Sequence, residues 1–138
     1  MAKNEIITPY FENEVFAGVR VTLGDEDFVI APKDYQGGKL MNWYDAMEAL
    51  KSDGLDSFTH QQSRLIMANY EEIEKALRLN GGEYLNMEYW TCTEQSGDTA
   101  FYYDGYTNFL RWDIKSERYN ARAIKNLKKT NNYEAILK

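Results

Sequence analysis

The alternation of apolar and polar positions predicts a β-hairpin near the start of the chain. Every second residue from Val15 to Leu23 is apolar, which is the period of a strand with one buried face. The run GDED at 24–27 supplies a turn, and the apolar run at 28–30 begins a second strand that Pro32 ends. We therefore predict two antiparallel strands joined by this turn.

The period changes to helical spacing after a glycine-containing loop. Asn42 is a suitable N-cap, and Trp43 shares one helix face with the apolar residues that follow at intervals of three and four. Gly54 is a natural stop. The pattern predicts a first helix over residues 43–52.

A second and longer helical pattern lies between Thr59 and Asn80. Thr59 and Gln62 have the spacing of a capping box, and Phe58 lies where a hydrophobic staple places its apolar residue. Apolar side chains then recur at helical spacing as far as Leu77. We expect one continuous helix.

After Gly82 the sequence returns to strand patterns. A hairpin, then helices, then consecutive strands indicate the α+β class rather than a parallel βαβ sheet. We expect the last strand to pair with the first, because that closure protects an edge that otherwise invites aggregation. The predicted strands cover 83–95, 98–104, 109–115 and 120–127, with turns at 105–108 and 116–119.

No linker or internal repeat divides the chain. We therefore predict a single domain over residues 1–138. Its core is expected at about 14–127, and residues 128–138 are expected to form a C-terminal tail.

Three groups of residues form a set of motifs. They are Trp43 and Ala46 in the first helix, the run YWTCTE at 89–94, and Tyr119, Arg122 and Ile124 near the end. Together they resemble the small C-type-lectin-like domains of bacteria and phages, a family of domains of unknown function. The resemblance covers roughly residues 14–127. It implies a C-type-lectin-like fold, with two helices packed on an antiparallel sheet and with the N- and C-terminal strands paired.

The chain also departs from that family. It has LDSFTHQQ where relatives carry WRLP before the second helix. It lacks the EPN motif and the disulfides of animal C-type lectins, so their calcium and sugar sites are not carried over.

Four motif residues are predicted to be structural. Trp43 lies on the apolar face of the first helix, and Trp90 is expected to fill the core beneath the helices. Glu94 lies in strand phase with Trp90; if it points inward it needs a partner, because an unpaired buried carboxylate is costly. The planar fork of Arg122 can hold a carboxylate with two bonds. We therefore predict a Glu94–Arg122 pair joining the motif strand to the closing strand.

The net charge and the single cysteine and histidine limit the functions that the chain can have. The chain has 22 acidic and 16 basic residues, and its net charge of -6 disfavours nucleic-acid binding. Cys92 and His60 are the only residues of their types, which excludes an internal disulfide and a Cys-based zinc site. We predict no cofactor, no metal and no catalytic residue.

No stretch of the sequence has the apolar length of a signal peptide or of a membrane span. We therefore expect a cytoplasmic or virion-associated protein with no membrane partner.

Aromatic residues in the segment 88–113 favour a binding surface. The chain has 11 tyrosines, and many lie beside turn-forming residues in this segment. Tyr, Trp and Arg dominate binding hot spots, and the resemblance implies an exposed platform here for a protein or glycan ligand. The predicted binding residues are Tyr102, Tyr103, Asp104, Tyr106, Asn108, Arg111 and Trp112.

Two other functions remain open at this stage. One is a small acidic effector or inhibitor from a mobile element, which binds an intracellular target. The other is a hydrolase that uses carboxylates in the region of Glu94 and Asp104. The aromatic face can equally close a homodimer.

Overall fold

The computed structural model describes residues 6–127 as an α+β arrangement of two antiparallel sheets and three helices. This confirms the predicted class. The predicted tail at 128–138 lies outside the described residues. The strands are β1 (Ile6–Glu12), β2 (Val15–Leu23), β3 (Glu26–Ile30), β4 (Glu88–Glu94), β5 (Thr99–Asp104), β6 (Phe109–Ile114) and β7 (Ile124–Asn126), and the helices are α1 (Trp43–Ser52), α2 (His60–Ala68) and α3 (Tyr70–Leu79).

The first sheet has the strand order β1-β2-β3-β7. The predicted hairpin is confirmed as β2 and β3, which pair antiparallel from Val19 opposite Ile30 to Leu23 opposite Glu26. Strand β1 was not predicted. Most of its side chains are exposed and Pro9 interrupts it, so it lacks the alternation that marks a strand with one buried face.

The expected pairing of the first and last strands is wrong. Strand β7 pairs with β3, and β1 lies at the opposite edge of the same sheet. The residues 28–30 of β3 are buried on both faces, so this strand needs a partner on each side. The predicted closing strand is also shorter, because Ala121 and Ala123 instead accept backbone bonds from Tyr35 and Ala31.

The second sheet has the strand order β4-β5-β6, which confirms three consecutive antiparallel strands. Strand β4 has buried residues on both faces, since neighbouring Tyr89 and Trp90 are each 0% exposed. The ladder shifts register between Trp90 and Glu94. This sheet therefore separates two hydrophobic cores.

The two cores differ in the elements that enclose them. The first lies between the first sheet, α2, α3 and one face of the second sheet, and the second lies between α1 and the opposite face. Trp90 is the largest side chain of the second core, as predicted for an interior anchor. The first core comprises Val19, Val21, Phe28, Ile30, Phe58, Ile66, Ile73, Leu77, Leu85, Tyr89, Tyr103 and Ile124, and the second comprises Tyr35, Met41, Ala46, Leu50, Trp90, Ala100, Tyr102, Ala121 and Ala123.

Helix α1 has the predicted bounds, and Asn42 caps it by accepting a bond from the Asp45 N–H at 2.8 Å. The predicted capping box is also present, with reciprocal bonds between Thr59 and Gln62.

The second predicted helix is broken at Asn69 into α2 and α3. The Asn69 backbone has a φ of -121° and a ψ of 27°, and its Nδ2 donates to the Leu65 carbonyl at 2.9 Å. Asparagine favours such breaks because its side chain competes for backbone groups of the preceding turn. The break lets α2 pack on β4 and β6 while α3 packs on β1 and β2.

The predicted Glu94–Arg122 pair is wrong. The register shift after Trp90 turns Glu94 outward, where its half-exposed carboxylate pairs with the buried ammonium of Lys115. Arg122 is 0% exposed and pairs instead with Asp34, at 2.9 Å from Nη1 to Oδ1.

Arg122 also donates to backbone carbonyls of two separate loops. Its Nε bonds Ala31 at 2.9 Å, Nη1 bonds Tyr84 at 3.1 Å, and Nη2 bonds Glu83. Arg122 therefore ties the end of β3 and the loop before β4 to the segment that leads into β7.

No helix within residues 6–127 is long and apolar enough to cross a membrane.

Candidate functional site

The turn between β5 and β6 is held close to the loop that precedes β4. A Cβ atom at Gly105 would lie 2.1 Å from the carbonyl oxygen of Leu85, so only glycine allows this approach. The Gly105 N–H donates to the Met87 carbonyl at 2.8 Å. Asn108 ends the turn with a φ of 55°, in the left-handed region that asparagine tolerates. The hairpin is thus fixed at its base and at its turn.

Three of the predicted binding residues lie inside the protein, so their assignment to an exposed platform is wrong. Tyr102 stacks on Tyr119 in the second core, with 4.2 Å between ring centroids, and Tyr103 is fully buried in the first. Asp104 is buried and accepts bonds from the Arg111 side chain and the Tyr106 N–H. Both faces of β5 are covered, and sequence alternation alone does not reveal this.

Asn108 has a structural contact as well. It accepts a bond from the Tyr103 hydroxyl at 2.6 Å and donates to the Met67 carbonyl of α2 at 3.1 Å. Burial raises the pKa of Tyr103, so its hydroxyl remains a donor. Asn108 therefore connects the turn to α2.

The remaining predicted binding residues are exposed and lie close together on the hairpin. Tyr106 is 66% exposed and Trp112 is 56% exposed, and Arg111 is exposed on the strand between them. Phe109 and Ile114 of β6 are also exposed and were not predicted. We call this set the hairpin surface: Tyr106, Phe109, Arg111, Trp112 and Ile114.

The hairpin surface has two faces, because neighbouring residues of a strand point to opposite sides. Trp112 lies opposite Phe101 of β5 and shares its face with Ile114. Phe109 and Arg111 lie on the other face, where the guanidinium carbon of Arg111 is 5.5 Å from the centre of the Phe109 ring. Phe109 has no predicted role because it directly follows the turn, where strand phase cannot be assigned from sequence alone.

The face that carries Arg111 also carries carboxylates. Glu88 lies opposite Asp104, and Arg111 Nε donates to Asp104 Oδ2 at 3.1 Å. Asp113 accepts a bond from the Tyr119 hydroxyl. Burial raises the pKa of Glu88, and the nearby Asp104 carboxylate raises it further, whereas Arg111 lowers it.

Replacing Glu88 by glutamine is expected to raise the free energy of unfolding at neutral pH. The pKa of Glu88 is higher in the folded protein than in the unfolded chain, so ionising Glu88 costs more free energy in the folded state. This penalty is absent below the unfolded pKa and reaches its full size once the pH has risen through the folded pKa. The gain should appear at about pH 7 and vanish near about pH 4. Urea unfolding of both proteins at the two pH values measures it, and an equal gain at both would contradict this origin.

The carboxylates proposed for hydrolysis do not come together. Glu94 lies opposite Ala100 and Asp104 lies opposite Glu88. This separates the backbones of the two residues by about 13 Å along β5, and each carboxylate pairs with a different cation, Glu94 with Lys115 and Asp104 with Arg111. Among residues 6–127, no group of three or more His, Cys, Asp or Glu side chains is placed to hold a metal ion.

Trp43 has a structural role, because it connects α1 to β4. Its Nε1 donates to the Thr91 carbonyl at 2.8 Å, which ties α1 to β4. The ammonium of Lys115 lies 4.4 Å from the centre of the Trp43 ring, within the range of a cation–π contact. Because Lys115 also pairs with Glu94, these contacts hold the end of β6 against α1.

No protein-family model and no curated protein matches this chain. Its function is therefore argued from the geometry of the hairpin surface, because a fold class alone hosts many functions.

Proposed function

We propose that this protein is a non-enzymatic recognition module that binds a protein or glycan partner through the hairpin surface. We also infer a C-type-lectin-like fold. Two of the motif residues that carry this resemblance, Trp90 and Arg122, are fully buried, which supports this inference.

The observation that carries the proposal is the exposure of several large side chains on one rigid hairpin. Tyr106, Phe109 and Trp112 are each more than half exposed, and Arg111 lies among them. Tyr, Trp and Arg are the residue types enriched in binding hot spots. They lose little conformational entropy on binding when they are displayed on an ordered strand.

The buried side of the hairpin explains its rigidity. Tyr103 fills the first core, and its hydroxyl bonds Asn108, which bonds α2 in turn. Gly105 holds the turn against the loop before β4. The exposed side chains therefore stand on a backbone that is already fixed before a partner arrives.

The proposal is tested with a double variant, Tyr106→Ala with Phe109→Ala. Immobilised wild-type protein is used to capture partners from lysates of the encoding cells and to screen an array of glycans. The variant is expected to weaken binding of the retained partner by about tenfold or more. Both side chains are exposed, so folding should change little.

A matched control removes two large exposed side chains elsewhere. Tyr44 lies on α1 and Leu79 at the end of α3, and both are more than half exposed. The Tyr44→Ala, Leu79→Ala variant should bind the same partner as the wild type does. Equal retention of every partner by the hairpin variant and the wild type would refute the proposal.

A further inference from the structure

Strand β6 differs from the other sheet edges within residues 6–127. The outer side of β4 is covered by Phe58 and Asn120, through Cys92 N–H to the Phe58 carbonyl and Trp90 N–H to the Asn120 carbonyl. Strand β7 is covered by Asp56, which exchanges two backbone bonds with Ile124. Strand β1 carries Pro9 and a bulge, two devices that discourage further pairing. Strand β6 has no proline, and within this range only the turn that follows it reaches its outer side, through the Glu117 N–H to the Ile114 carbonyl at 3.0 Å.

The hydrogen-bond pattern shows which backbone groups of β6 face outward. The Lys115 N–H donates to Asp98, and the N–H and C=O of alternate residues point to the same side of a strand. Phe109, Arg111 and Asp113 therefore bond β5. Leu110, Trp112 and Ile114 direct their N–H and C=O groups away from the sheet.

We propose that β6 pairs with β6 of a second copy of this chain, antiparallel and about a two-fold axis at Trp112. In this register the two Trp112 residues lie opposite each other, and Leu110 lies opposite Ile114 of the other copy. Arg111 of each copy then lies opposite Asp113 of the other. The pairing joins two three-stranded sheets into one of six strands.

Charge selects this register over its neighbours. Moving the axis to Arg111 places two guanidinium groups opposite each other, and moving it to Asp113 places two carboxylates opposite each other. Like charges directly opposite in a ladder are destabilising, and opposite charges are stabilising. Of these three registers, only the one at Trp112 places Arg111 of each copy opposite Asp113 of the other.

The two faces of the joined sheet are also consistent with this register. One face carries a row of Leu110, Trp112 and Ile114 opposite the same row in reverse. The other face carries the charge pairs. Arg111 uses Nε and Nη2 in intrachain bonds and so retains further donors for Asp113 of the second copy.

Asp113 protects this edge while the chain is alone. Its Oδ1 accepts the outward N–H of Ile114 at 2.8 Å. On pairing, the Ile114 N–H transfers to the Leu110 carbonyl of the second copy, and Oδ1 becomes free for Arg111 of that copy. The Ile114 N–H thus has an acceptor before and after pairing, and the apolar rows of the two copies come into contact side by side.

Self-pairing does not depend on the proposed ligand, and it would make recognition bivalent. Tyr106 lies in the turn, beyond the paired residues. A Tyr106→Ala variant should therefore lose ligand affinity and keep its dimer, which separates failure of one proposal from failure of the other.

The test is sedimentation velocity over a concentration series with Arg111→Asp and Asp113→Arg. Each variant alone places like charges opposite each other and should dimerise about tenfold or more weakly than the wild type. An equal mixture of the two should regain the dimer. In the mixed pair the introduced aspartate of one chain faces the introduced arginine of the other, and the two unchanged side chains, Arg111 and Asp113, also face each other. Circular dichroism checks that both variants fold.

A second variant keeps the test decisive if either charge change prevents folding. Trp112→Lys puts two ammonium groups on the axis at an exposed position and should abolish the dimer. A wild type that sediments as a monomer at every concentration would overturn the proposal. So would a folded mixture that stays monomeric, or a dimer that survives Trp112→Lys.

Discussion

Replacing Arg122 by methionine is expected to lower the free energy of unfolding by about 3–5 kcal/mol, because it removes one partner of a buried ion pair. The Asp34 carboxylate would lose its guanidinium, and the carbonyls of Ala31, Glu83 and Tyr84 would lose their donor. Burial raises the pKa of Tyr89, so its hydroxyl still donates to Asp34, at 2.7 Å. One remaining donor does not replace the charge.

Urea unfolding of the variant is compared with that of Arg20→Met. Arg20 also pairs with a carboxylate, Asp27, but its side chain is 41% exposed. Loss of such a surface pair should cost about 1 kcal/mol or less. Equal losses from the two substitutions would show that burial and the carbonyl bonds of Arg122 add nothing to stability.

The role of Arg122 shows what the sequence can and cannot predict about a buried charge. Its motif indicated a structural arginine, and its full burial confirms an interior position. Its partner was assigned from strand phase, and a register shift of β4 turned Glu94 away. Asp34 follows the end of β3, 88 residues from Arg122, and no local pattern connects the two.

Local signals predicted most elements of the fold. The bounds of α1 and the capping box of α2 follow from side-chain chemistry within a few residues, and both are confirmed. The break at Asn69 was missed because the apolar stripe continues through it. Strand order depends on contacts between distant segments, so the position of β7 beside β3 could not be read from periodicity.

The hairpin surface was only partly predictable for a related reason. Composition indicated the segment 88–113, and Tyr106, Arg111 and Trp112 are exposed there. Tyr102 and Tyr103 are buried because β5 is the central strand of its sheet, with a core on each side. Residue type does not distinguish a tyrosine that recognises a partner from one that fills a core.

Replacing Trp90 by alanine is expected to lower the free energy of unfolding by about 3–5 kcal/mol, the usual loss for a buried aromatic side chain. The Trp90 ring contacts Tyr102 and Tyr119 edge to face, with 6.2 and 4.9 Å between centroids. Its Nε1 donates to the Met41 carbonyl at 2.9 Å. The substitution therefore leaves a cavity and removes one of two donors to the Met41 carbonyl, which the Tyr119 N–H still bonds at 3.0 Å.

The two contributions can be separated with Trp90→Phe, which keeps an aromatic ring but removes the N–H. That variant should lose about 1 kcal/mol from the missing hydrogen bond, because the Met41 carbonyl keeps the Tyr119 N–H, together with a smaller cavity term. Tyr44→Ala is the control, because Tyr44 lies outside the hairpin surface, is 56% exposed, and its loss should change stability by about 0.5 kcal/mol or less. Urea unfolding followed by far-UV circular dichroism measures all three.

Trp90 also links core stability to the hairpin surface. It supports Tyr102 of β5, which lies opposite Arg111 in the ladder. A folded Trp90→Phe variant should therefore show faster amide hydrogen exchange in β5 and β6 than the wild type, because looser packing beneath the ladder favours local opening. Tyr44→Ala should leave exchange in β5 unchanged. Exchange in β5 that is equally slow in Trp90→Phe and the wild type would show that the hairpin is held without the second core.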